Sequence, residues 1–291
     1  MYANVNGTKI FFDVEGLEYV PDGPKMRQRP VCFVLHGGPG GEHSHFLPAF
    51  SKMAETMQLI YVDDRSCGRS ERVDITTSTM KQNVEDLEAL RKYLGLGKVF
   101  VYGHSYGGMK AQQYIIDYPD SLYGVILSDT AANFQRAYRT EEIVRERGTQ
   151  EQIDAYYERM RDREHNDFNK FMKIMASMYN YQCRTPEQVQ ALLDGENRCI
   201  TNQEVNAYQY ANELNSFDMI PELKNTHVPT LILVGKYDHI TPKEASEDLH
   251  AAMPHSELHI IDDAAHECFC DRPDYVFPCV ADFVKRNFKP D

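Results

Sequence analysis

The sequence predicts an α/β fold in which a doubly wound, mostly parallel sheet carries one helical insertion. Three observations predict it. Short apolar runs at 31–35, 59–62, 99–102, 125–128, 230–235 and 258–262 alternate with mostly helix-patterned stretches, the order that buries a parallel sheet between two helical layers. Residues 103–107 read Gly-His-Ser-Tyr-Gly between the apolar run Val99-Phe100-Val101-Tyr102 and the helix-like Gly108-Met109-Lys110-Ala111-Gln112-Gln113-Tyr114, so a strand meets a helix through one sharp turn. The stretch from 129 to 229 contains no convincing buried strand and reads as helical.

Each element has its own local reason. Tyr2-Ala3-Asn4-Val5 and Thr8-Lys9-Ile10-Phe11-Phe12 flank Asn6-Gly7, a two-residue hairpin signal, so an antiparallel edge precedes the parallel core. Over 79–94, Val84, Leu87, Leu90 and Leu94 share a helical face, and the pattern stops at Gly95. Thr241-Pro242-Lys243-Glu244 reads as a capping box with proline at the first helical position, starting a helix just beyond Asp238. The predicted organisation is a core of 1–132 and 218–291 with a helical cap, 133–217, over the carboxyl ends of the strands. Of the cap aromatics (Tyr156, Tyr157, Phe168, Phe171, Tyr179, Tyr181, Tyr208, Tyr210), most are expected to pack helices and the rest to line a pocket.

The Gly-x-Ser-x-Gly turn points to chemistry. Small residues on either side let strand and helix approach closely, which exposes the Ser105 hydroxyl at a helix N-terminus that favours developing negative charge. A serine hydroxyl is a weak nucleophile until a base takes its proton, and in this architecture the partners follow in the order Ser, acid, His. Of the eleven histidines, His227, His239, His250, His255, His259 and His266 lie far enough downstream. His266 follows the strand-like Leu258-His259-Ile260-Ile261-Asp262, and Asp238 follows Thr230-Leu231-Ile232-Leu233-Val234-Gly235, so each opens a loop at a strand's carboxyl end. Asp238 and His266 are therefore the expected partners of Ser105, with Asp129, after Val125-Ile126-Leu127-Ser128, as reserve acid. His36-Gly37-Gly38-Pro39-Gly40 follows another buried-strand run, and glycines there let a backbone N–H turn toward the reacting carbonyl. Gly38 is the expected oxyanion donor, Gly37 the alternative, and Tyr106 N–H the second donor.

Composition narrows the partners. A net charge of −13 argues against nucleic acid and anionic membrane surfaces as partners. Met1-Tyr2-Ala3-Asn4-Val5-Asn6-Gly7 lacks the basic and apolar regions of a signal peptide, and the seven cysteines read as free thiols of a cytoplasmic protein. Cys268-Phe269-Cys270 near His266 and His43-Ser44-His45 near His36 lack the paired spacing of a zinc site, so no metal and no cofactor is expected.

His36-Gly37-Gly38-Pro39-Gly40, Asp63-Asp64-Arg65-Ser66-Cys67-Gly68-Arg69-Ser70, Gly103-His104-Ser105-Tyr106-Gly107-Gly108 and Gly235-Lys236-Tyr237-Asp238-His239-Ile240-Thr241-Pro242 together resemble the proline iminopeptidase family, α/β-hydrolase serine exopeptidases that include the tricorn-interacting aminopeptidase. The likeness runs over about residues 5–288 and is weakest between about 133 and 217. It implies Ser105, Asp238 and His266 as triad, Gly38 and Tyr106 as oxyanion donors, and release of an N-terminal proline or another small residue from short peptides. It also implies that carboxylates hold the substrate's free amine, one from the cap and one often beside the catalytic aspartate. Here that neighbour is His239, and the cap offers Glu204 and Glu213 as amine ligands, with Gly37 also against the substrate. Two other readings use the same residues: a carboxylesterase, amidase or lactonase for small uncharged acyl compounds, and a fold kept as a non-catalytic small-molecule binder.

Overall fold

The computed structural model describes residues 1–290, with no side-chain description for 136–138. The first half contains β1 (Tyr2–Val5), β2 (Thr8–Glu15), β3 (Tyr19–Asp22), β4 (Lys25–Gln28), β5 (Val31–Leu35), β6 (Gln58–Val62), α1 (Met80–Tyr93), β7 (Val99–His104), α2 (Tyr106–Asp117) and β8 (Leu122–Ser128). Five helices follow: α3 (Arg136–Arg147), α4 (Gln150–Arg161), α5 (Phe168–Tyr179), α6 (Pro186–Glu196) and α7 (Gln203–Asn212). The chain closes with α8 (Ile220–Leu223), β9 (Thr230–Gly235), α9 (Lys243–Ala252), β10 (Glu257–Ile261), α10 (Cys268–Asp271) and α11 (Pro273–Asn287).

Eight strands form one sheet in the order β1-β2-β6-β5-β7-β8-β9-β10, parallel from β6 to β10. β2 runs antiparallel to both β1 and β6, and Asn6 and Gly7 take the positive φ values (47° and 76°) that a tight hairpin demands. The strands divide their side chains by alternation. Val31, Phe33 and Leu35 of β5 and Val99 and Val101 of β7 join α1 and α2 in one apolar cluster. Cys32, Val34, Phe100 and Tyr102 face the other way, onto Phe46, Phe50 and the α11 residues Val276, Val280 and Phe283. Both faces being covered explains why these strands read as continuous apolar runs.

The hairpin of β3 and β4 was not expected. It pairs Tyr19 with Gln28 and turns at Gly23, φ 61°, with three of four β4 residues exposed. Pro21 and the absence of a buried face hide it from pattern reading, although Asp22-Gly23 is itself a turn signal. Helices α3–α6 share a cluster of their own built on Val144, Tyr156, Phe171, Met172, Met175 and Leu193. No helix among the described residues is long and apolar enough to cross a membrane.

Candidate active site

Ser105 occupies the turn between β7 and α2 with φ 54° and ψ −119°, a region that L-residues occupy only under strain. The surroundings enforce it. Ser105 N–H donates to Ser128 O at 3.0 Å, and Thr130 Oγ1 donates to Ser105 O at 2.7 Å. A Cβ on Gly107 would collide with Leu35 O, so only glycine lets α2 start this close to β5.

His266 Nε2 lies 3.1 Å from Ser105 Oγ, and His266 Nδ1 lies 2.9 Å from Asp238 Oδ2. Asp238 is fully engaged: Oδ1 accepts from Ile240 N–H at 2.7 Å and Thr241 N–H at 3.0 Å, and Oδ2 accepts from the Thr241 hydroxyl at 2.8 Å. Burial alone would raise the Asp238 pKa, but the His266 ring and these donors hold it below the usual carboxylate range. His266 mirrors this: burial opposes its charge, and Asp238 overcomes the penalty and raises its pKa above 6.5. The Thr241 hydroxyl is thus spent on Asp238, which corrects the capping-box expectation: α9 begins at Lys243 behind Pro242 without a side-chain cap.

Asp129 takes a different place. Its carboxylate accepts from Gly235 N–H at 2.9 Å and from the Ser128 hydroxyl at 2.9 Å, and it makes no hydrogen bond to His266. Burial, then the charge of Asp238, pushes its pKa up to about 7.

Gly37 sits against Ser105, since a Cβ built on it would lie 3.2 Å from Ser105 Cβ. Gly38, at φ 122°, follows in a conformation open to glycine. Tyr106 is the first residue of α2, where N–H groups lack intrahelical acceptors. Gly37 and Gly38 line the cleft with Ser105, and α2 begins at the residue after it. The glycine loop is tied down from the insertion: Asn202 N–H donates to Gly40 O at 2.7 Å, and Asn206 Nδ2 donates to Pro39 O at 2.9 Å. Below it, Asp63 accepts from His43 and from Arg69 N–H, while Lys110 pairs with Asp64 at 2.5 Å, both ions buried.

The cleft above Ser105 encloses a free volume of about 160 Å³ and is open to solvent. Neither Glu204 nor Glu213 lines it. Glu204 is exposed in the first turn of α7, and the Glu213 carboxylate accepts from Met80 N–H at 3.0 Å, at the start of α1. The carboxylates that do line the cleft are Glu42, Glu196 and Glu267. Glu42 is neutralised by Arg69 at 3.0 Å. Glu196 and Glu267 share one partner, His45, at 3.6 Å and 3.4 Å. Burial lowers the His45 pKa, but Glu267 and Glu196 outweigh it and bring it to about 9, so the ring is cationic at neutral pH. Burial raises the Glu267 pKa, His45 opposing. Two carboxylates with one cation make a wall suited to a second cation. A signal for Glu42 and Glu267 existed in the sequence, since one follows the glycine loop and the other follows His266 directly. His239 is buried, lies 2.8 Å from Met178 O, and has a pKa lowered to about 4 by burial, so it adds no charge beside Asp238.

Residues 30–273 match the family described as alpha/beta hydrolase fold. The chain belongs to that family. This hydrolase is 28% identical to the proline iminopeptidase of Saccharolobus solfataricus, over 87% of this chain and 84% of that one. Among solved structures it is similar to the proline iminopeptidase of Mycobacterium smegmatis, with a TM-score of 0.77 at 19% identity over 99% of this chain and 98% of that one. An esterase from Exiguobacterium antarcticum is nearly as similar in shape, with a TM-score of 0.74 at 21% identity over 97% of each chain. The shape of this hydrolase is thus common to peptidases and esterases, and the substrate must be argued from the cleft.

Proposed function

We propose that this hydrolase is a serine aminopeptidase that releases an N-terminal proline or another small residue from short peptides. The observation that carries the reading is the acidic wall of Glu196 and Glu267 in the same cleft as Ser105. In this mechanism Ser105 Oγ attacks the scissile carbonyl while His266 Nε2 takes its proton, and Asp238 holds the imidazole and stabilises the imidazolium. Gly38 and Tyr106 N–H groups receive the oxyanion. His266 then protonates the leaving amine, and water repeats the sequence on the acyl-enzyme. The substrate ammonium lies against Glu196 and Glu267, and helices α3–α7 act as the cap that keeps longer chains out. The seven unpaired cysteines support a cytoplasmic location.

The decisive comparison is between proline anilide and its N-acetyl derivative. Glu196→Gln and Glu267→Gln each lower kcat/KM for the free amine, relative to a simple ester, by roughly ten- to a hundred-fold, the value of a charge-assisted hydrogen bond of about 1.5–3 kcal/mol. Glu204→Gln leaves that ratio as it is. Equal turnover of free and acetylated anilide would sink amine recognition and transfer the site to small uncharged esters, which the neutral His239 beside Asp238 would suit.

Acid should silence the enzyme. The imidazolium form of His266 cannot accept the serine proton, and its raised pKa places the acid limb of kcat/KM above pH 6.5. Activity is therefore full well above that pKa and lost as pH falls through it. A rate with no acid limb at all would remove His266 as base.

A further inference from the structure

The cleft has a second charged end that amine recognition does not use. Arg159, on α4, lines it with a side chain that is only 4% exposed. Its guanidinium donates to Arg163 O at 3.1 Å and Gln203 Oε1 at 3.2 Å and lies 5.0 Å and 5.6 Å from the ring centroids of Phe168 and Phe171. No carboxylate is among the groups acting on it: they are Tyr179, Tyr210 and a second cation, Arg163. Arg163 also lines the cleft, over the face of Tyr210 at 3.5 Å and donating to Met160 Sδ. Two adjacent guanidinium groups, one of them buried, thus stand without an ion pair among the described residues. Burial disfavours such a charge unless an anion arrives to pair with it.

Their position relative to the acidic wall is defined by what lies behind each. Arg159 and Arg163, with Tyr179, Tyr210 and Ile240, also border a cavity between α4 and α7. Glu196, Glu267 and His45 border a different cavity, beside α6 and α10, and the two cavities have no residue in common. The cleft therefore carries both signs of charge, Glu196 and Glu267 beside one flanking cavity and Arg159 and Arg163 beside another, with Ser105 in its lining.

We propose that Arg159 and Arg163 form a subsite for a carboxylate on the leaving group, so that the preferred substrates are short zwitterionic peptides, dipeptides first among them. This rests on the aminopeptidase reading. The planar guanidinium pair suits a carboxylate because each can give two parallel N–H donors, which a neutral amide end cannot match. The carboxylate has two sources, the peptide's C-terminus or an acidic side chain of the leaving residue.

The test measures kcat/KM for Pro-Ala, Pro-Ala-amide, Pro-Glu-amide and proline anilide, in the wild type and in Arg163→Gln and Arg159→Gln. Pro-Ala is expected to exceed Pro-Ala-amide by about 10- to 100-fold in the wild type, and the ratio to fall toward one in both variants. Pro-Glu-amide matching Pro-Ala would assign the subsite to a side chain and overturn the preference for dipeptides. Because both substrates are assayed on one preparation, partial unfolding cancels from the ratio, and Arg163, only half-buried, keeps the test open if Arg159→Gln does not fold. A wild-type ratio near one, or a ratio unchanged in Arg163→Gln, overturns the subsite while the aminopeptidase stands. If none of the four is hydrolysed, the aminopeptidase reading itself has failed.

Discussion

Ser105→Ala is expected to lower kcat by roughly 10⁶-fold while the thermal midpoint stays within a degree or two of the wild type. The hydroxyl faces the cleft and its Oγ meets only His266 Nε2, so its loss leaves no buried partner stranded in the core. Alanine keeps the strained turn, which is held through the backbone bonds of Ser128 and Thr130 rather than through Oγ. His266→Ala should cost about as much, and the double variant hardly more, because the two side chains act on one proton. Steady-state assays with the best substrate, beside melting curves for all three variants, check this. A His266→Ala enzyme within a hundred-fold of the wild type would move the base elsewhere, and His239 would be the next to test.

Asp238→Asn is the second large effect, about 10⁴-fold in kcat, and it should come with little change in KM. Asparagine keeps the size of the side chain but presents an amide that can donate to Nδ1, which favours the tautomer with its proton on Nε2, facing the serine. Asp129→Asn makes the contrast. That carboxylate touches Gly235 N–H and the Ser128 hydroxyl and reaches His266 only through its field, so the rate should fall by no more than about ten-fold. Removing its charge should lower the His266 pKa, which Asp129 helps to raise, and shift the acid limb downward. A larger loss in Asp129→Asn than in Asp238→Asn reverses the assignment.

The sequence was most legible where local chemistry fixes the backbone. Asn6-Gly7, the run from Val31 to Leu35, the helix ending at Gly95 and the Gly-x-Ser-x-Gly turn all carry their geometry in their own residue types, and the structure has them at the expected positions. The pairing of Asp238 with His266 was reachable for the same reason, since both follow strands whose carboxyl ends must lie side by side in a parallel sheet. What failed was anything that depends on which way an inserted helix faces. Glu204 and Glu213 looked equivalent to any other cap acid, and nothing local says that one is in water and the other serves the start of α1. Glu196, Arg159 and Arg163 reach the cleft only through the packing of α4, α5 and α6 around Met172 and Met175, a long-range outcome with no marker in the chain.

The bonds from Asn202 and Asn206 to the glycine loop divide the insertion into two mechanical parts. Helix α7 is anchored to the glycine loop, and lifting it would pull on Pro39 and Gly40. Helices α3–α6, with an apolar cluster of their own, are tied instead to the segments beyond β9 and β10, where Thr140 Oγ1 donates to Ile240 O, Asn180 Nδ2 to Glu267 and Tyr181 N–H to Asp271. Both parts of the insertion thus hold a piece of the site, α7 through Pro39 and Gly40 and the end of α5 through the residue that follows His266. A substitution that loosens either set of bonds therefore acts on the catalytic geometry from outside the cleft.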